Sequence, residues 1–278
     1  MRKIVLCAAI AALLLFFRCA YAQTYLDCRE KGYSGTKEIQ NYVVRIHAIH
    51  APTSWGGLAC IASVKSLGGK IVYSREAPGI SLSTSSGRDF NNDGVPDLLF
   101  GYFSGGDSFS WEIFSLGPHP HLIKKFENGY RGILGIDLKD TSHNGQNEIW
   151  TRDAAFQFFD HLCHACSPAP ILVLHLQGRK LYDVSSKFAP DFDEDIAHQQ
   201  SEIKPEESTK LKFSKPPYTG LDNTRGTVLQ IVLDYLYSGR EQEAWKTLDQ
   251  YWPAGDKNRI HKAILERRRN GILKQVEK

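Results

Sequence analysis

The stretch Asp89-Phe90-Asn91-Asn92-Asp93-Gly94-Val95-Pro96-Asp97, running directly into Leu98-Leu99-Phe100-Gly101-Tyr102-Phe103, carries the most structural information in this chain. Oxygen-bearing side chains stand at relative positions 1, 3, 5 and 9, with glycine at 6. A tight loop with alternate residues turned inward gathers such oxygens around one point, and a hard divalent cation such as calcium takes about six to eight of them. The spacing names Asp89, Asn91, Asp93 and Asp97 as side-chain ligands and Val95 as a carbonyl ligand for Ca2+. Gly94 permits the sharp turn. Three carboxylates this close repel one another strongly without a cation. The opening matches an EF-hand, but position 12 is Phe100 instead of glutamate, and a β-run follows where a helix would. The loop is therefore expected to feed a strand.

The same spacing returns 51 residues later in Asp140-Thr141-Ser142-His143-Asn144-Gly145-Gln146-Asn147-Glu148, again ahead of a strand-like run, Ile149-Trp150-Thr151. A turn and strand repeated at a fixed interval indicates a repeat architecture. Asp140, Ser142, Asn144 and Glu148 form a weaker second ligand set, because two carboxylates replace three and affinity follows ligand charge. A third acidic cluster, Asp191 to Asp195, lacks the glycine and leads into Ile196-Ala197-His198, which suits the first turn of a helix.

Both loops and their strands resemble the FG-GAP/VCBS-type repeat of integrin-like β-propellers, in which an Asp-x-Asn-x-Asp-Gly-x-x-Asp loop holds calcium between strands. The resemblance spans about 75 residues, from roughly 85 to 160. It implies calcium at Asp89, Asn91, Asp93, Val95 and Asp97, and a degenerate site at Asp140, Ser142, Asn144 and Glu148. Two recognisable repeats are too few to close a propeller. The expected body is thus an incomplete propeller-like sheet or sandwich, as in many secreted bacterial proteins, and no reaction comes with it.

Outward from the loops, β-signals dominate up to about residue 190. Leu58–Val64 and Ile71–Ser74 flank Gly68-Gly69 as a hairpin, Tyr42–Ile46 is a strand upstream, and Asp97–Phe103, Ser110–Leu116, Ile133–Asp137, Glu148–Arg152 and Ile171–Leu176 follow between turn-forming residues. The fold class is mainly β with a helical C-terminal tail. Residues 23–190 form the body and 191–222 a helix plus linker. Residues 223–278 form a helical module, with helices at Thr227 to about Gly239, Glu241–Tyr251 and Asn258 to about Val276. Tyr235, Gly239, Ala244 and Leu248 are spaced similarly to part of a tetratricopeptide repeat.

The first 22 residues read as an export signal: Arg2-Lys3, an apolar run of 14 residues from Ile4 to Phe17, and Ala20-Tyr21-Ala22 before Gln23. That run is short of the roughly 20 residues that span a bilayer. The protein is expected to be periplasmic or secreted, with no membrane span once the signal is gone. Removing Arg2, Lys3 and Arg18 leaves 31 basic against 31 acidic residues, which argues against a nucleic-acid partner. Cys28, Cys60, Cys163 and Cys166 remain; three pairings are possible, and proximity in sequence favours Cys28–Cys60 and Cys163–Cys166.

His161-Leu162-Cys163-His164-Ala165-Cys166 reads as a local disulfide in an oxidising compartment, with zinc or redox chemistry as the other options. No Gly-x-Ser-x-Gly elbow, phosphate-binding lysine loop or dinucleotide fingerprint occurs. The leading expectation is a non-enzymatic, calcium-stabilised binding or structural protein of the cell envelope, with a protein or glycan partner. A hydrolase of envelope or extracellular polymers, built on carboxylates far apart in sequence, is the alternative. A scaffold acting through the helical tail is the third.

Overall fold

A computed structural model describes residues 24–50, 58–103, 108–130, 136–218 and 222–277. The segment read as an export signal, and most of the strand expected at 133–137, lie outside these residues. The described residues build three antiparallel sheets followed by helices, so the mainly-β class with a helical tail holds, and none of these sheets closes into a barrel or propeller.

The sheets are successive meanders. β2 (Ser34–Ile39), β3 (Tyr42–His50), β4 (Leu58–Ser66) and β5 (Ile71–Ala77) make the first. β6 (Gly79–Ser83), β7 (Asp97–Phe103), β8 (Ser108–Ser115) and β9 (His121–Tyr130) make the second, with β1 (Thr24–Cys28) added beside β6. β10 (Asp137–Lys139), β11 (Glu148–Arg152), β12 (Ile171–Gln177) and β13 (Lys180–Asp183) make the third. Each acidic loop joins the first and second strands of its meander, before β7 and before β11.

The second sheet is the middle layer. Its strand β7 is buried along nearly its whole length because both of its faces are covered. Leu98, Phe100 and Tyr102 point to a core shared with Val44, Ile46, Ala62 and Val64 of the first sheet. Leu99, with Trp111, Ile113 and Phe126, points to a larger core that runs through the third sheet into the helices. That two-sided burial explains why the run after Asp97 is continuously apolar and does not alternate. Between the first two sheets, the buried Glu112 carboxylate pairs with Arg75 at 2.8 Å and accepts from the Tyr73 hydroxyl at 2.5 Å. Tyr102 hydrogen-bonds Tyr73 in turn. Burial, and then the neighbouring Glu112 carboxylate, push the Tyr73 hydroxyl well above its ordinary range.

The helical part is α1 (Asp193–Glu202), α2 (Pro205–Phe213), α3 (Asp222–Tyr237), α4 (Glu241–Tyr251) and α5 (Lys257–Arg269). The acidic cluster at 191–195 does open a helix, with Asp193, Glu194 and Asp195 in the first turn of α1. The segment read as helix plus linker holds two helices, because Pro205 starts a second one with acids in its first turn and lysines in its last. The final helix stops at Arg269, and the apolar residues beyond it sit on a short 3₁₀ turn at Ile272–Gln275. α3 is buried on most of its circumference. The buried Asp153 fastens the tail to the body: it accepts from the Tyr237 hydroxyl at 2.7 Å and the Ala155 amide at 2.9 Å.

Both expected disulfides are formed. Cys28–Cys60 ties β1 of the middle sheet to β4 of the first, and both cysteines are buried. Cys163–Cys166 closes a loop with a sequence separation of only 3. Loop-closure entropy then ranks them. Replacing Cys28 and Cys60 together by serine is expected to cost about 3–4 kcal/mol, and replacing Cys163 and Cys166 about 2 or less, in urea unfolding. A larger loss from the second pair would contradict this ranking.

Candidate metal loops

The two acidic loops adopt one backbone solution. At position 1, Asp89 accepts from the amides of Asp93 (3.2 Å) and Gly94 (2.7 Å). Asp140 accepts from Asn144 and Gly145, both at 3.0 Å. At position 5, Asp93 accepts from Val95 N and Asn144 from Gln146 N, each at 2.8 Å. At position 9, Asp97 accepts from Phe90 N at 2.8 Å and Glu148 from Thr141 N at 2.9 Å. Positions 4 and 6 are left-handed in both: Asn92 (φ 59°) and Gly94 (φ 83°), His143 (φ 53°) and Gly145 (φ 80°). The glycines recur because an L side chain is strained there.

The loops differ in what the ninth residue does with its second oxygen. In the second loop, Glu148 Oε1 accepts from the Ser142 hydroxyl at 2.8 Å, so both carboxylate oxygens are used. In the first, position 3 is Asn91, whose Nδ2 is turned to Asp93 at 2.9 Å. Asp97 Oδ1 and Asn91 Oδ1 are then buried with no hydrogen-bond partner. Buried polar atoms are nearly always satisfied, and each orphan costs about 1–3 kcal/mol. Two orphan oxygens on two expected ligands fit the donor chemistry of a hard cation, whereas the second loop satisfies itself.

As the side chains stand, Asp89 is spent on backbone amides, and among the described residues no group of three or more His, Cys, Asp or Glu side chains converges on one point. Asp97 is fully buried, and its carboxyl is pushed up to about 7. Burial is the largest cause, and the Asp93 and Asp89 charges add to it, while the backbone amides of Phe90 and Asn91 pull the other way.

The loops also dock on each other. Asn147, at position 8 of the second, donates from its amide to Asn92 Oδ1 (2.9 Å) and from Nδ2 to Asp89 O (2.8 Å). Arg88 donates to both Asn147 and the Leu138 carbonyl. Asn147 escapes the motif reading because it occupies an unspecified position, and Arg88 because it stands just before the first motif. The one available signal was a cationic residue placed directly before an acidic loop. The remaining ligand candidate, Val95, lies in the same turn with its amide capped by Asp93.

Asp97 sets a pH dependence. With calcium chelated, the folded chain keeps a proton on Asp97 up to about pH 7, while the unfolded chain releases it near 3.8. The folded state therefore binds more protons across that window, and stability falls as pH rises through it, by on the order of 1 kcal/mol per pH unit. Asp97→Asn is expected to flatten this part of the profile in chelator; an unchanged slope would show that Asp97 does not titrate there.

No family model, curated protein or solved structure matches the chain.

Proposed function

We propose that this is an exported, non-enzymatic calcium-binding β-repeat protein of the FG-GAP/VCBS type, acting as a binding or structural component of the cell envelope. One observation carries the reading: Asn91 Oδ1 and Asp97 Oδ1 are buried without donors in the first loop, while the matching oxygens of the second are satisfied. The placement of both loops between adjacent strands of a meander supports the same reading. So do the two disulfides, which suit an oxidising compartment, and the absence among the described residues of any helix long and apolar enough to cross a membrane.

In this reading Asp89, Asn91, Asp93, Asp97 and the Val95 carbonyl hold the ion. When bound, calcium supplies the positive charge that three clustered carboxylates lack. The chain's own part is mechanical. Asp97 is the first residue of β7, and its pairing with Ser115 starts the β7–β8 ladder. A fixed Asp97 thus holds the head of the middle strand, and through Asn92 and Asn147 it holds the second loop and the head of β11. That rigid edge leaves the outer surfaces of the sheets for a protein or glycan partner, in the periplasm or outside the cell.

Adding millimolar calcium to the chelated protein should raise its Tm, because a ligand of the folded state alone stabilises it. Asp93→Ala is expected to remove most of that rise and Asn144→Ala little of it. Equal losses in scanning calorimetry would contradict the ranking of the loops.

A further inference from the structure

The two disulfides of this chain sit in opposite environments. Cys28 and Cys60 are buried between sheets. Cys163 is exposed and Cys166 half-buried, in a loop that closes too few residues to contribute much by entropy. The approach to that loop is left-handed at Phe158 (φ 54°), Asp160 (φ 51°) and His161 (φ 62°). For a bulky residue such as Phe158 this is a costly conformation, and such backbone concentrates at functional sites.

The surroundings of the two sulfurs suit the reduced state, and they are unequal. The Cys166 amide donates toward Cys163 Sγ at 3.1 Å, a contact that strengthens when that sulfur carries negative charge. Cys166 Sγ lies 3.3 Å from Asn223 Oδ1 on the first turn of α3. A disulfide sulfur has no hydrogen to give to that oxygen, whereas a Cys166 thiol does. Cys166 is also held in place: a β-carbon on Gly226 of α3 would fall 2.0 Å from the Cys166 carbonyl oxygen, so helix and loop are in direct backbone contact. Beside the exposed sulfur, Phe158 is 50% exposed and its ring meets that of His164, one of the two residues between the cysteines, at 5.7 Å. Phe158 N donates to Ser167 Oγ, which donates to the Cys163 carbonyl at 2.8 Å.

We propose that Cys163–Cys166 is a redox-active disulfide that exchanges with external dithiols, with Cys163 as the attacked sulfur and Cys166 as the leaving one. A thiolate of the donor attacks Cys163 Sγ, the Cys163–Cys166 bond breaks, and its electron pair passes to Cys166 Sγ, which takes up a proton from water. The donor's second thiol, as thiolate, then attacks the donor sulfur of the mixed disulfide. Cys163 departs as a thiolate facing the Cys166 amide, and the donor leaves as a disulfide. Two electrons move from the dithiol to this chain, and the reverse sequence oxidises it again.

The test uses the folded full-length mature chain in graded mixtures of reduced and oxidised glutathione without denaturant, followed by acid quench, alkylation and mass mapping. Cys163 and Cys166 are expected to become alkylatable in mixtures at least about tenfold less reducing than those that open Cys28–Cys60. Reduction of both bridges together, at the point where the chain unfolds, would overturn the proposal, and this arm requires no variant. In a second arm, Cys166→Ser should trap oxidised glutathione on Cys163 at least about tenfold faster than Cys163→Ser traps it on Cys166. Equal rates would overturn the assignment of the attacked sulfur.

Discussion

A carboxylate sealed at the head of the most deeply buried strand constrains the rest of this molecule. Asp97 begins β7, the strand whose two faces serve both cores, so it cannot turn outward to water without disturbing Leu98 and Leu99 behind it. Its one satisfied oxygen holds the Phe90 amide and thereby the whole acidic turn. The other oxygen has no donor. An unpaired charge in that position is expensive, so the site must carry a proton, a cation or strain.

The second loop shows how the same turn manages without that tension. Glutamate at position 9 is one methylene longer than aspartate and reaches the Ser142 hydroxyl, and serine at position 3 supplies the donor that Asn91 directs elsewhere. Two differences at matched positions thus separate a loop with two unpartnered buried oxygens from one whose matching oxygens are satisfied. Hydrogen bonds of Asn147 and Arg88 then link the two loops, and with them the middle and third sheets.

Much of this was legible along the chain, and the reasons are particular. Asp97–Phe103, Glu148–Arg152 and Glu241–Tyr251 were read with their observed bounds, because a turn motif, a second copy of it and a stop at Pro253 mark their ends. β2 has no local strand signal because Ser34–Ile39 is an edge strand whose residues alternate between exposed and half-buried up to Ile39, its one buried apolar residue. β9 was missed because it carries Lys124, Lys125 and Glu127. Charged, solvent-facing strands exist by pairing with a neighbour, and no local pattern announces that. The ligand spacing was visible, but the contrast between the loops was not. It depends on which way the Asn91 amide turns and on how far Glu148 reaches. The bond between Arg88 and Asn147 spans 59 residues and belongs to the tertiary fold alone.

Crystals of the protein grown with calcium measure the central claim most directly, through anomalous scattering. The expected result is a peak about 2.3–2.6 Å from both Asn91 Oδ1 and Asp97 Oδ1. An empty turn, with water or a protein group donating to Asp97 Oδ1, would contradict it.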